Sequence, residues 1–372
     1  MKILFSVVLI AVILILVLLF YNAASQFLFT LHHFFPTLKP RLFYGIYAAL
    51  TLATATLFFL GMGTLLSRPL VVIGRYLTGF FLYFMMVENL FSLLLFPLRK
   101  LQVDHAPLCV GAGILALCLI CGLFLYGSLH PLNLKTKEYQ VTLQEGARGQ
   151  MRIALISDLH LGYTVGEKRL CQLRDRIREE QPDLVLIAGD IFDGAFRNLK
   201  DPQRLCSILQ EIKAPLGVFA CTGNHDAGED YEEMLRFLEE SEIRLLQDEA
   251  VLLENGVVLA GRRDSSPIGK TDIRRQSLSL PEGDHPVILM DHQPANLSQY
   301  GSEIDLMVSG HTHKGQMFPF GFITDALFEV DYGYYQKDSR SPQVIVTSGA
   351  GLWGPPLRIA SDCEVVFIDT CF

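Results

Sequence analysis

Residues 151–160 read Met-Arg-Ile-Ala-Leu-Ile-Ser-Asp-Leu-His, MRIALISDLH. Met151–Ser157 is an apolar run of strand length, and it passes directly into Asp158-Leu159-His160. The arrangement recurs down the chain. Leu184–Ala188 is followed by Gly189-Asp190, and Leu216–Thr222 by Gly223-Asn224-His225-Asp226. Val287–Met290 is followed by Asp291-His292, and Ile304–Ser309 by Gly310-His311-Thr312-His313. Helical patterns at Gly166–Glu180, Pro202–Lys213 and Tyr231–Ser241 lie between several of these strands. Strands alternating with helices predict α/β layers. Polar groups at the C-terminal ends of the strands are where such folds place their sites.

Each motif alone is weak. Gly-Asp after a strand is commonly a turn, and Asn or Asp caps helices well. As one ordered series they take up five of the ten histidines: His160, His225, His292, His311 and His313. Carboxylate oxygen and imidazole nitrogen suit divalent Mn, Fe or Zn. No cysteine joins the series, which argues against a structural zinc site. The eight cysteines show no framework spacing and read as free thiols. There are too many ligands for one cation and enough for two that share a carboxylate. Two metals ~3.5–4 Å apart generate hydroxide and hold both ends of an in-line displacement at phosphorus. A donor acid then serves the leaving oxygen. In Ser309–Gln316, SGHTHKGQ, strand-like alternation lets His311 and His313 face the same side.

Asp158-x-His160, Gly189-Asp190-x-x-Asp193-Gly194, Gly223-Asn224-His225-Asp226, His292 and Gly310-His311-x-His313 together resemble the five motifs of the calcineurin-like metallophosphoesterases. Gly315-Gln316 and Thr347–Ile359, TSGAGLWGPPLRI, are similar to the membrane-linked YkuE/YaeI-type subgroup. The resemblance covers about residues 150–370. It implies two facing β-sheets flanked by helices. It implies one divalent metal on Asp158, His160, Asp190 and His313, and a second on Asp190, Asn224, His292 and His311. It further implies a metal-bridging hydroxide as nucleophile, His225 facing the leaving group, and Asp226 orienting His225. Asp193 is expected to support its turn, and Trp353 to pack. Lys314 stands where the subgroup is expected to carry Gly. Lys314 and Arg358 are the candidate substrate contacts, with Arg358 read equally as a brace.

Upstream the chain changes character. Half of the 372 residues are hydrophobic and the mean hydropathy is +0.32, which points to membrane segments. Four long apolar runs, Ile3–Tyr21, Leu42–Leu66, Tyr76–Leu98 and Ala106–Leu129, predict an all-α multi-span membrane domain over residues 1–134. Gly61, Gly63, Gly111 and Gly113 suit helix packing in lipid. The first run is too long and has too little basic flank for a cleaved signal peptide. Glu88 interrupts the third run and reads as a functional carboxylate or as a packing one. A connector with an edge strand over Glu138–Gln144 occupies 135–150, and the catalytic domain is expected over 151–372. With four spans, Lys2, Arg68, Arg75, Lys135 and Lys137 share one side, against Lys39, Arg41, Arg99 and Lys100 on the other. That slight bias places the second domain in the cytoplasm.

The part from Lys135 onward carries a net charge of about −13, so nucleic acid is not an expected partner. The expected partners are a phosphoester substrate and membrane lipids. The leading expectation is a membrane-anchored two-metal phosphoesterase acting on phosphoester or pyrophosphate bonds, on a lipid-linked or a soluble substrate. The alternative is a membrane sensor or transporter with a regulatory metal-binding domain. The first four runs exceed what an anchor needs, which favours the alternative. The complete ligand set favours the enzyme.

Overall fold

The computed structural model of the chain describes residues 2–62, 66–97, 106–143, 149–269 and 274–372. The ends of the second and third expected apolar runs, Gly63, Arg99 and Lys100, and the end of the expected edge strand lie outside the described residues. The chain forms two compact units, Met1–Ser128 and Leu129–Phe372.

The first unit is helical: α1 Lys2–Phe34, α2 Pro40–Met62, α3 Arg68–Leu95 and α4 Ala106–Leu129. All four contain stretches long and apolar enough to cross a membrane. Two run past their sequence-expected bounds, α1 at its C-terminal end and α3 at its N-terminal end. Charge marks the edges of an apolar run, whereas hydrogen bonding alone ends the helix. Inside the unit, Ala23, Phe84, Val87, Ala116 and Ile120 pack together. A Cβ on Gly113 would stand 1.9 Å from Thr30 Oγ1, so α1 and α4 approach closely at that glycine. Gly111 has open space beside it. Asn22 donates to Asn89 at 2.9 Å. Glu88 is 1% exposed and its Oε1 has no hydrogen-bond partner.

The second unit holds two six-stranded sheets. The strands are β1 Leu134–Thr142, β2 Gln150–Ile156, β3 Leu184–Ala188, β4 Val218–Cys221, β5 Arg244–Leu245, β6 Glu249–Leu252, β7 Val258–Gly261, β8 Val287–Met290, β9 Leu306–Ser309, β10 Gly333–Tyr335, β11 Gln343–Val346 and β12 Cys363–Cys371. One sheet has the order β1-β12-β2-β3-β4-β5 and the other β10-β11-β9-β8-β7-β6. The edge strand β1 starts four residues before its expected position and pairs in parallel with β12, Leu134 opposite Cys363.

Period-two alternation builds the layers. Ile153 and Leu155 of β2, with Leu184 and Leu186 of β3, point at Ile288, Met290, Leu306 and Val308 of the facing sheet. Ala154, Ile156, Val185 and Ile187 point the other way. They pack under α5 Glu167–Glu180, α6 Pro202–Gln210 and α7 Tyr231–Glu240 through Leu173, Ile208 and Phe237. The second sheet buries its outer face on Leu297 and Val330. The ligand-bearing strands β2, β3 and β4 are neighbours in one sheet, and β8 and β9 are neighbours in the other. All five strand ends therefore open at one rim of the sandwich.

Candidate metal centre

At that rim the backbone is forced into an uncommon shape. Asp158, His160, Asp190, His311, His313, Lys314 and Gln316 all have φ between +46° and +73°. Such conformations cost non-glycine residues energy and cluster at functional sites. They also bring His311 and His313 to the same centre by a route other than strand alternation. His311 and His313 leave β9 in left-handed turns, with a short 3-10 turn at His313–Gly315.

Three groups of side chains converge. In each, one candidate ligand atom per residue lies within 4.8 Å of the others: Asp158, His160 and His313; Asp190, His292 and His311; and His160, Asp193 and His225. His313 Nε2 is 3.4 Å from Asp158 Oδ1 and 3.1 Å from His160 Nε2. The Asp190 Oδ2 atom lies between the first two sets, 3.6 Å from His160 Nε2 and 3.3 Å from His292 Nε2. Asn224 Oδ1 meets His311 Nδ1 at 2.8 Å. All seven sequence-expected ligands thus gather in one place.

Surrounding groups fix their orientation. The His292 ring places Nδ1 2.8 Å from the Ala188 carbonyl, which leaves Nε2 free to bind. Ser157 Oγ donates to Asp158 Oδ2 at 2.7 Å, and the His225 amide donates to Asp190 Oδ1 at 2.8 Å. His160 Nδ1 and His292 Nε2 are buried without any hydrogen-bond partner. Orphaned buried imidazole nitrogens, and two Nε2 atoms facing each other, are what a cation set would resolve. The donor set therefore fits divalent metal.

Burial shapes the charges. It pushes His160 and His311 down to about 4 and His313 well below its usual range, so these ligands are neutral at pH 7. Asp158 rises to about 6 by burial, with Asp190 adding to the shift. Burial opposes both charges of the Asp190–His292 pair. Their mutual attraction prevails, holding Asp190 well below the carboxylate range and His292 well above the histidine range.

The remaining candidates divide. His225 is half-exposed, its ring 5.0 Å from that of His160 and 6.1 Å from that of Trp353. Trp353 thus borders the site; the sequence leaves open whether it walls the cleft or packs, and leans towards packing. The Asp226 carboxylate accepts from the amides of Phe192 at 2.9 Å and Gly223 at 2.8 Å. It braces the loops that carry Asp190 and Asn224, and none of its hydrogen bonds goes to the His225 ring. Burial, then Asp190, pushes it up to about 7. Arg358 is fully buried. Its Nη atoms donate to the carbonyls of His313, Ser348 and Gly351 and lie 3.1 Å from His313 Nδ1. Lys314 is half-buried, with Nζ 4.3 Å from the centre of the Tyr332 ring. Asp193 joins His160 and His225, where sequence gave it a turn role. Its place after Asp190 by one loop turn was the only signal.

The model of the calcineurin-like phosphoesterase family matches residues 151–315. An uncharacterised metallophosphoesterase of Aquifex aeolicus is 33% identical over 252 residues, 65% of this chain and 94% of that protein. One from Helicobacter pylori strain J99 is 31% identical over 63% of each chain. A Danio rerio transmembrane protein with a metallophosphoesterase domain is 30% identical over 78% of this chain and 69% of its own length. That share exceeds what residues 129–372 alone provide, so the similarity reaches into the helical unit. On its motif series, its two-sheet fold and these relatives, the chain belongs to the calcineurin-like phosphoesterase family.

Proposed function

We propose that the protein is a membrane-anchored, multi-pass, dinuclear-metal hydrolase of phosphoester or pyrophosphate bonds, with its catalytic unit in the cytoplasm and a lipid-linked substrate. The observation that carries the reading is the pair of buried ligand sets meeting at Asp190 Oδ2, with a half-exposed histidine beside them. Asp158, His160, Asp190 and His313 would hold one cation, and Asp190, Asn224, His292 and His311 the other. The ligands admit Mn, Fe or Zn. When bound, the cations supply a hydroxide nucleophile at neutral pH and offset charge on the phosphoryl oxygens.

The chain's own groups do the rest. His225 stands at the open side of the ligand sets, where it can deliver a proton to the leaving oxygen. Asp226 holds the loops of Asp190 and Asn224 in register through backbone amides. Arg358 fixes His313 from behind. Lys314, one residue past His313, adds a positive charge for a phosphoryl oxygen.

The test uses full-length protein in detergent, with bis(p-nitrophenyl) phosphate and p-nitrophenyl phosphate in Mn²⁺, then in EDTA, beside Asp190→Ala. Metal-dependent turnover that is lost in the variant supports the hydrolase. A second reading, a membrane sensor with a regulatory metal domain, draws on the buried Glu88 of the helical unit, whose Oε1 has no hydrogen-bond partner. His225→Asn separates the two readings. A hydrolase loses turnover by about 10²–10⁴-fold while keeping its metal, whereas a sensor keeps its response.

A further inference from the structure

The helices α5, α6 and α7 bury their apolar faces. One helix of the same unit does not. α8, Gly321–Leu327, has no buried residue at all. Its Phe322 is 69% exposed and its Leu327 73%, with Ile323 between them also exposed. Phe318, on the approach to the helix, meets Phe322 edge to face at 5.7 Å. Clustered exposed apolar side chains mark a binding surface, where single ones do not.

This surface is continuous with the metal centre. α8 sits on the turn that carries His313: a Cβ on Gly315 would lie 2.2 Å from the Gly321 amide nitrogen. Just past its end, the Phe328 ring is 5.9 Å from that of His311. Gln316, from the same turn, holds the Trp353 backbone at both its amide and its carbonyl, and Trp353 borders His225. A cavity of about 360 Å³ opens beside α8, within the ~300–1,000 Å³ range of small-ligand clefts. Phe318, Pro319, Phe322 and Ile359 form its apolar wall and Lys314 its cationic end. Its acids are Asp325, at the exposed edge, and Asp331, which accepts from Thr324 at 2.8 Å.

We propose that the α8 cleft is the subsite for the aliphatic tail of an amphiphilic phosphoester, whose head reaches the metal centre past Lys314. This rests on the hydrolase reading above and names the part of the substrate that reading leaves open. Three observations select a tail. The wall of Phe318, Pro319, Phe322 and Ile359 carries no donor or acceptor side chain, so it reads no base or sugar, and the two acids stand at the exposed edge and on Thr324. The one cation stands at the end nearest the ligands, which matches an anionic head and an apolar tail. And the same chain carries four helices apolar enough to lie in lipid, where such a substrate resides.

The experiment takes full-length protein in nanodiscs of a zwitterionic lipid. Trp353 is the only tryptophan in the chain and borders His225, so it reports on the head end of the bound molecule. A non-hydrolysable alkyl phosphonate brominated on the carbon next to phosphorus should quench it at about tenfold or more lower concentration with a dodecyl chain than with an ethyl chain. Phe322→Ser/Leu327→Ser, two exposed positions, should weaken that quenching about tenfold or more. In parallel, p-nitrophenyl alkyl phosphodiesters should show kcat/KM rising about tenfold or more from ethyl to octyl. The double variant should flatten that rise by lowering turnover of the long-chain esters. Turnover of the ethyl ester without a chain-length effect overturns the subsite and spares the hydrolase. No turnover of any ester, with long-chain quenching intact, sinks the hydrolase and keeps the cleft as a binding site. Quenching by brominated bilayer lipid alone, unchanged by the phosphonate, assigns α8 to the bilayer surface and overturns the tail subsite. No quenching by any bromine source overturns it as well.

Discussion

Asp190 and His292 hold each other's charge in a buried pair, and metal must break that pair to bind. The His292 imidazolium is favoured by its neighbour, so a proton remains on it well above the ordinary histidine pKa. In the metal-free chain that interaction is fully present below the ordinary value and fades as pH rises through the raised one. A metal ligand must be neutral, so binding expels the proton. Mn²⁺ affinity should therefore climb from pH 6 to pH 8 by up to about tenfold per unit for each proton displaced. Titration calorimetry of the EDTA-stripped protein, in buffers of different ionisation enthalpy, should show net proton release at pH 7. Affinity flat across that range would contradict the pairing. Arg358 gives a second expectation at this scale. Replacing it by Met strands the Ser348 carbonyl and leaves those of His313 and Gly351 with only the Gln316 amide and the Cys363 thiol. Each unsatisfied buried group costs about 1–3 kcal/mol, so the unfolding temperature should drop by about 5 °C or more. An unchanged melt would return Arg358 to the substrate side. The candidate ligands were legible because each is a polar residue ending an apolar run. The roles of Arg358, Asp226 and Asp193 were not, because each depends on which distant backbone or ring it meets.

At the scale of elements, β2, β3, β4, β8 and β9 could be read from apolar runs that end in the motif residues. β3 and β8 match to the residue. β12, a nine-residue strand central to its sheet, ends in no ligand, and the motif reading passed over it. β5 spans two residues and β10 three, too short for periodicity to register. α8 was equally invisible, since an exposed apolar helix of seven residues has neither amphipathic period nor cap. Its coupling to the site can be tested at its seat. Gly315 has φ +73° and backs onto Gly321. Gly315→Ala must displace either α8 or the His313 turn, since the opposing atoms are backbone. It should lower stability by about 1–3 kcal/mol and weaken metal binding along with turnover of every ester. Phe322→Ser should spare metal binding. If Gly315→Ala left both metal affinity and turnover intact, α8 and the ligand turn would be independent elements.

For the whole molecule, the two units follow different rules of solvation. The helical unit exposes Ile10, Leu14, Leu52, Leu93 and Leu125 on its outside, a surface that only lipid covers well. The second unit buries its apolar strands between sheets and helices. That contrast was legible from composition, because a span needs ~20 apolar residues and leaves an unmistakable run. Sidedness was far less legible, since it rests on a five-to-four split of Lys and Arg. Sidedness also decides which substrate pool the centre meets, so it carries the last prediction. Cys371 is the exposed thiol of the second unit, whereas Cys221 and Cys363 are buried and Cys171 and Cys206 are half-buried. With the catalytic unit in the cytoplasm, a membrane-impermeant maleimide should leave Cys371 unlabelled in intact cells. It should label Cys371 fully once the membrane is opened, and Cys371→Ser should remove that signal. Labelling in intact cells would reverse the orientation. It would direct the search for the phosphoester to the outer leaflet and leave the metal chemistry of the centre as it stands.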